Sequence, residues 1–138
     1  SEHRFRELAE AMPHVVWTAR ADGEVDYYNA RVAGFSPAIR DADGRWRWDL
    51  VLHPDDLAET VAAWRTAAAD GRLYEREHRI RMADGAYRWH LSRALPVRDA
   101  RGRIVRWYGT ATDIDHRRRA EIALREAEER FRAAMDAS

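Results

Sequence analysis

Apolar and polar positions alternate along this chain with two periods, one typical of helices and the other typical of strands. Phe5, Leu8, Ala9 and Met12 recur at helical spacing, and Pro13 ends this first predicted helix. A second helix is predicted after His53, because a proline follows at the first helical position and Gly71 suits the end. Its predicted apolar stripe consists of Leu57, Val61, Trp64 and Ala68.

Strand periodicity occupies two regions that flank the second helix. Residues 15–20 and 25–29 form a predicted hairpin around Asp22-Gly23, whereas residues 33–52 lack a sustained period and predict short helical turns with loops. Residues 75–82, 87–97 and 104–112 form three further predicted strands, and a polar helix runs from residue 116 to the end. Since tight turns cannot join parallel strands, the order predicts an α+β fold with an antiparallel sheet.

The amino-acid composition restricts the possible functions more than it restricts the possible folds. The 138 residues carry 24 basic and 24 acidic side chains, so no net field attracts nucleic acid or a membrane surface. The absence of cysteine excludes disulfides and thiolate chemistry. No apolar run approaches the ~20 residues that span a bilayer, and no signal-peptide pattern is present. These features predict a soluble, cytoplasmic module.

Candidate catalytic and metal-binding patterns are absent from the sequence. No serine lies in a nucleophile-elbow context, and no glycine-rich phosphate loop is present. The six histidines include no pair at helical ligand spacing and no neighbouring carboxylate cluster. They are His3, His14, His53, His78, His90 and His116. The sequence therefore predicts a protein that is not an enzyme and has no metal site.

Arginines and aromatic residues are concentrated in residues 87–90 and 106–108. Such a pattern can form a stacking platform for single-stranded nucleic acid, or a sheet whose arginine stems cover one face. Acidic residues are interleaved with these segments, and the net charge is zero. We therefore favour the sheet and predict no nucleic-acid partner.

A series of short motifs runs in order from about residue 4 to residue 132, and together they resemble the PAS family of sensory domains with its C-terminal PAC motif. Each motif is weak alone, but the ordered series is specific. The motifs are Val16-Trp17-Thr18 with Asp22-Gly23 and Asn29, Gly34-Phe35-Ser36, His53-Pro54-Asp55-Asp56, Asp84-Gly85 with Tyr87-Arg88-Trp89-His90, Pro96-Val97 with Asp99 and Gly102, Gly109-Thr110, and Asp113-Ile114-Asp115.

The resemblance implies a five-stranded antiparallel sheet with helices packed on it and a C-terminal linker helix. Residues 1–12 would be a flanking helix, 13–115 the sensory domain and 116–138 the linker. Positions matched to flavin-binding relatives imply a ligand pocket, within which His90 is either a ligand contact or, as we favour, a buried hydrogen-bonded histidine. The pocket candidates are Val16, Thr18, Asn29, His78, Ile80, His90, Ser92, Gly109 and Ala111.

The faces of the third and fourth predicted strands depend on the turn at Asp84-Gly85. A two-residue turn would place Ile80 with Trp89 and Leu91, whereas a longer loop would pair Ile80 with His90. We prefer the longer loop because the family uses it. Trp89 and Leu91 would then pack under the N-terminal helix.

The resemblance implies signal relay to a covalently linked kinase or cyclic-nucleotide enzyme, with no tightly held cofactor; the alternative is a dedicated flavin or haem sensor. The family usually has Thr where this chain has Asp115. The final helix carries a heptad seam, which predicts a parallel homodimer through the flanking helices. The expected transmitting residues are Asp113, Asp115, Ala120, Leu124, Ala127 and Phe131.

A short repeat adds a further hypothesis about the end of the chain. The triplet Arg4-Phe5-Arg6 recurs as Arg130-Phe131-Arg132, each followed by alanine and methionine. The match is either chance among arginine-rich helices or the start of a second PAS repeat near Glu129.

Overall fold

A computed structural model describes residues 2–138, which form one antiparallel sheet with three α-helices. The helices are α1 (Glu2–Ala11), α2 (Pro54–Asp70) and α3 (Asp115–Asp136). The strands are β1 (Val15–Arg20), β2 (Val25–Tyr28), β3 (Tyr74–Arg81), β4 (Tyr87–Arg98) and β5 (Ile104–Asp113), in the order β2-β1-β5-β4-β3. Short 3₁₀ turns occupy Ala30–Gly34, Pro37–Ile39 and Trp48–Val51. The predicted α+β architecture is confirmed.

The sheet has an inner face, which packs against α2, and an outer face, which carries α1. On the inner face, Trp17 and Trp107 of β1 and β5 pack with Trp64 of α2 in one buried cluster. On the outer face, the Phe5 ring of α1 lies 6.3 Å from the Tyr27 ring and 4.8 Å from the Tyr108 ring. The core therefore forms between the sheet and α2, where apolar area is removed from water.

Helix α2 begins and ends as predicted, but its buried face differs from the prediction. The ring nitrogen Nδ1 of His53 accepts a hydrogen bond from the Asp55 amide, and Gly71 ends the helix with a φ of 70°. The buried positions are Thr60, Trp64 and Ala67, whereas Leu57 of the predicted stripe is 38% exposed. The predicted stripe was wrong because one of the buried positions is occupied by a polar residue, Thr60, which an apolar pattern does not include.

The register of β3 and β4 confirms the predicted faces and corrects the predicted pairing. Ile80 lies opposite Arg88, and His78 lies opposite His90. Ile80 and His90 therefore share the inner face, as the longer loop predicts, but they are not a direct pair. Trp89 lies on the outer face under α3, 4.5 Å from the Arg118 guanidinium carbon, so its predicted position under α1 was wrong.

The length and polarity of a helix determine whether it can cross a membrane. Within residues 2–138, none of the helices combines the length and the apolar character that crossing a bilayer requires.

Candidate functional site

A cavity of about 50 Å³ lies between the inner face of the sheet, α2 and the 3₁₀ turns. A volume of this size holds a few water molecules and is too small for an aromatic ring. Its wall is mainly aromatic and aliphatic, with Thr60, His78 and Ser92 as the polar side chains that line it. The lining residues are Trp17, Val25, Tyr28, Phe35, Ile39, Trp48, Val51, Leu52, Thr60, Trp64, Tyr74, His78, Ile80, Ser92 and Ala111.

Four of the predicted pocket residues line this cavity: His78, Ile80, Ser92 and Ala111. The His78 Nε2 atom lies 2.8 Å from the Ser92 hydroxyl oxygen. Its other ring nitrogen, Nδ1, is buried and has no hydrogen-bond partner among residues 2–138. Burial, reinforced by the neighbouring His90, lowers the pKa of His78 to about 4. The cavity wall thus contains a neutral imidazole with one unused nitrogen.

His90 shares the inner face but lies beside the cavity rather than in its wall. Its Nδ1 atom lies 3.0 Å from the Arg88 carbonyl oxygen and must donate, since a carbonyl can only accept. The ring packs edge-on against Phe35, with centroids 5.2 Å apart. Burial lowers the pKa of His90 as well. This arrangement is that of a buried, hydrogen-bonded histidine.

The structure places Val16 and Thr18 on the outer face, so their predicted position in the cavity was wrong. The Thr18 hydroxyl donates to Asp26 across 2.6 Å, and the Arg106 guanidinium donates to the same carboxylate across 2.8 Å. The inner positions of β1 belong instead to Val15, Trp17 and Ala19. The first five residues of β1 are all buried, so apolar and polar side chains do not alternate along the strand. The sequence therefore does not show which of these residues face the inside of the domain.

Asn29 and Gly109 do not line the cavity either. The Asn29 side chain accepts from the Val16 amide across 3.0 Å and donates to the Ala9 carbonyl oxygen across 2.8 Å, which ties α1 to β1. Gly109 faces inward, but an added Cβ would lie 2.3 Å from the Trp17 indole. The ring of Trp17 therefore fills the space that was predicted to be open there.

Several lining residues were missed by the sequence analysis, above all Tyr28, Phe35, Trp48 and Tyr74. Phe35 and Trp48 come from the segment without a regular period, so no pattern indicated their direction. Burial raises the pKa of Tyr74 to about 12, and it also raises that of Tyr28. Both phenols therefore remain neutral throughout the physiological range and contribute ring surface to the wall.

The start of α3 is fastened to the outer face of β4 by Asp115. One carboxylate oxygen accepts from the Trp89 amide across 2.9 Å, and the other accepts from Arg119 across 2.6 Å. Burial alone would raise the pKa of Asp115, but these two donors outweigh it and hold the pKa below its ordinary value. Asp115 is 5% exposed, so its charge is buried within this junction.

Two further contacts complete the junction. Asp113 accepts from the Asp115 amide across 2.9 Å and from the Arg88 guanidinium across 2.7 Å. The Trp89 ring has the guanidinium carbon of Arg79 4.9 Å from its centroid and that of Arg118 at 4.5 Å. The first turn of α3 is thus bound to β3 and β4 through charges and an aromatic face.

Beyond its first two turns, α3 is exposed on all sides. Leu124 is 61% exposed, Phe131 68% and Met135 60%. Ala120 and Ala127, which belong to the predicted seam with Leu124 and Phe131, are exposed as well, whereas Met135 lies outside the seam. The predicted seam is therefore exposed along its length.

Over residues 2–138, no three histidine or carboxylate side chains converge with the geometry that a metal would require. The six histidines are distributed over separate elements of the fold.

Comparison with known proteins identifies relatives for nearly the whole chain. The sequence model described as the PAS fold matches residues 30–111. An uncharacterized protein of Sinorhizobium fredii is 43% identical over 136 residues, which cover 99% of this chain and 16% of that protein. The peroxide stress-activated histidine kinase mak1 of Schizosaccharomyces pombe is 34% identical over 73 residues, which cover 53% of this chain and 4% of the kinase.

Solved structures agree with these sequence matches. A sensory box histidine kinase/response regulator from Burkholderia thailandensis superposes with a TM-score of 0.69 and 25% identity, covering 94% of this chain and 98% of that one. The chain spans 16% or less of the length of the two curated relatives described above.

Proposed function

Because this chain belongs to the PAS fold family, we propose that it relays a signal through α3 to an output domain in a longer protein. Members of the family are sensory modules rather than catalytic ones, and relatives include histidine kinases. A histidine kinase or a cyclic-nucleotide enzyme is the output domain that we propose. Proteins of this kind place the sensory and the output domain in one chain, so the linker must carry the signal.

The observation that carries this proposal is that β3 and β4 line the cavity with one face and hold the start of α3 with the other. His78 and Ser92 line the cavity from the inner face. Their neighbours along the same strands, Arg79 and Trp89, lie in the junction on the outer face. A shift of either strand that follows a change in the cavity would therefore move the surface on which α3 begins.

We further propose that α3 pairs with its counterpart in a parallel homodimer. Ala120, Leu124, Ala127 and Phe131 alternate by four and three residues, the spacing of a coiled-coil seam. A seam so rich in alanine binds weakly, and weak pairing allows two arrangements of similar energy. Movement at the junction would then change the rotation or register of the helix pair.

A fusion of the chain to a reporter kinase tests this mechanism. Inserting seven residues after Arg132 should leave the basal output as it was, because the seam returns to the same face. Inserting two or four residues should invert or lock the output, because the seam is rotated. Basal kinase activity at each insertion length is the measurement. If the output is the same at every insertion length, α3 only connects the two domains and the proposed mechanism is wrong.

The alternative of a dedicated flavin or haem sensor requires a much larger cavity. Ligand pockets commonly measure about 300–1,000 Å³, whereas the cavity here measures about 50 Å³. We therefore expect freshly purified protein to show neither a flavin band nor a haem Soret band in its visible absorption spectrum. Either band at near-stoichiometric occupancy would favour the cofactor sensor instead.

A further inference from the structure

A second attachment of α3 to the sheet is made by Glu77, which lies on the outer face of the edge strand β3. Its Oε2 atom lies 3.4 Å from the Arg117 guanidinium, and its Oε1 atom lies 3.8 Å from Arg118 Nε. Asp115 holds the first residue of the helix, so Glu77 helps to orient the turn that follows. One carboxylate thus faces two successive arginines of α3.

The contact between Glu77 and Arg118 is incomplete. Hydrogen bonds between ionised groups span about 2.7–2.9 Å, so the 3.8 Å separation is an attraction without a hydrogen bond. Arg118 Nε is nevertheless buried, and it has no hydrogen-bond partner among residues 2–138. Because an unsatisfied buried donor is costly, Arg118 would be stabilised by a closer approach of Glu77. A movement of about 1 Å would bring the two atoms to hydrogen-bonding distance.

Arg117, in contrast, has a second acceptor. Its Nη1 atom donates to Glu121, one turn further along α3, across 2.9 Å. The contact of Arg117 with Glu77 is longer, and the Arg117 side chain is 49% exposed. Loss of Glu77 would leave Arg117 paired with Glu121 and accessible to water, and pairs so exposed are weak. Glu77 can therefore exchange one arginine for the other at little cost.

Such an exchange would turn the helix. Consecutive residues point about 100° apart around an α-helix, so a movement that draws Arg118 towards Glu77 carries Arg117 away from it. The Trp89 ring supports this movement, because the Arg118 guanidinium carbon lies 4.5 Å from its centroid. A cation is attracted anywhere within about 6 Å of a ring centroid, so Arg118 keeps this contact as it moves.

The backbone of β3 connects this contact with the cavity. His78 follows Glu77 directly and lines the cavity from the inner face. Two residues after Glu77, the Arg79 amide donates to Asp56 and the Arg79 carbonyl oxygen accepts from the His53 amide. Within residues 2–138, no backbone hydrogen bond joins Glu77 to a segment outside the sheet. Glu77 thus lies on a freer part of the edge, next to a residue of the cavity wall.

We propose that Glu77 is a two-position clamp on α3, which pairs with Arg117 in this arrangement and transfers to Arg118 when β3 shifts. The transfer turns the start of the helix about its attachment at Asp115. This inference rests on the proposed relay and deepens it, because it names the contact that converts a strand shift into a rotation of α3.

The Nε–Hε resonance of Arg118 in the full chain reports the position of the clamp, and its absence from the spectrum of Arg118→Lys identifies it. Arg117→Gln removes the competing arginine, so this resonance should move downfield and exchange with water severalfold more slowly. Glu121→Ala removes the second acceptor of Arg117 and keeps Arg117 at Glu77, so the resonance should move in the opposite direction. Both substituted side chains are exposed, so the variants retain the fold.

Two controls test whether Glu77 is the acceptor. Arg125→Gln changes an exposed arginine of α3 outside the clamp and should leave the Arg118 resonance in place. Adding Glu77→Ala to Arg117→Gln should abolish the downfield movement. An unchanged Arg118 resonance in Arg117→Gln, or the same movement with and without Glu77, would overturn the proposal.

The reporter-kinase fusion distinguishes the clamp from the relay. Arg117→Gln and Glu121→Ala should move the basal output in opposite directions, because they favour opposite positions of Glu77. A transfer seen by NMR with an unchanged output would support the clamp and contradict the proposed relay. Altered output with no change at Arg118 would contradict the clamp and leave the relay standing.

Discussion

Acidification from pH 6.5 to pH 4 should remove about 3 kcal/mol of folding free energy through His78. The imidazole is 5% exposed, and burial holds its pKa at about 4 in the folded chain. The unfolded chain takes up the proton near the ordinary pKa of 6.5. Below that pH the unfolded state therefore binds more protons than the folded state, and stability falls until the folded pKa is reached.

The surroundings of His78 set this window. Ser92 contacts its Nε2 atom, and His90 and Arg76 disfavour its protonation, whereas Asp56 favours it. The carboxylates with lowered pKa values, Asp56 among them, contribute stability that is lost only as pH falls below about 4. The histidine and carboxylate contributions are thus separated along the pH axis.

Denaturant unfolding at intervals from pH 7.5 to pH 4 measures the effect. In His78→Gln, which retains a hydrogen-bonding side chain but does not titrate, the fall in stability between pH 6.5 and pH 4 should be smaller than in the wild type by about 3 kcal/mol. The exposed His116 provides the control, since His116→Gln should keep the wild-type slope. Equal slopes in the wild type and His78→Gln would contradict the assigned burial.

Much of this fold could be predicted from residues that lie close together in the sequence. Helix α2 was predictable because Pro54 favours its start and Gly71 adopts the positive φ that few other residues tolerate. The hairpin between β1 and β2 was predictable because Asp22-Gly23 marks a tight turn between two strand-like segments. In each case the residues that decide the conformation lie within a few positions of one another.

The cavity was less predictable because its walls depend on long-range packing. Val16 and Thr18 were assigned to the cavity, yet β1 is buried on both faces and its sequence does not reveal which face meets α2. Gly109 suggested open volume, but the Trp17 ring occupies it. Phe35 and Trp48 come from an irregular segment whose path is set by the core beneath it. Tertiary packing decides all of these positions.

The substitution Asp115→Ala should destabilise the attachment of α3 to the sheet by about 2–3 kcal/mol, the range for losing hydrogen bonds to a charged group. The Trp89 amide would lose its acceptor, and the Arg119 guanidinium would keep only the Tyr87 carbonyl oxygen. Hydrogen exchange should become faster at the Trp89 amide and in the first turn of α3, while the amides of β1 and β5 keep their protection.

Asp115→Thr separates the geometry of this junction from its charge. A threonine hydroxyl can accept from the Trp89 amide, but it cannot pair with Arg119, so exchange protection should return in part. Glu121→Ala removes an exposed pair with Arg117 and should change stability by less than about 1 kcal/mol.

The charge of Asp115 also makes the junction acid-sensitive in a defined direction. Its pKa is lowered in the folded chain, so its stabilisation is complete above the ordinary aspartate value and is lost as pH falls through the folded pKa. Exchange at the Trp89 amide, corrected for its intrinsic pH dependence, should therefore accelerate below about pH 4 in the wild type. In Asp115→Thr this acceleration should be smaller, because only the contributions of the other carboxylates, Asp113 among them, remain. If protection of Trp89 is the same in the wild type and in Asp115→Ala, the carboxylate does not hold α3 on the sheet, and the relay must leave the domain by another contact.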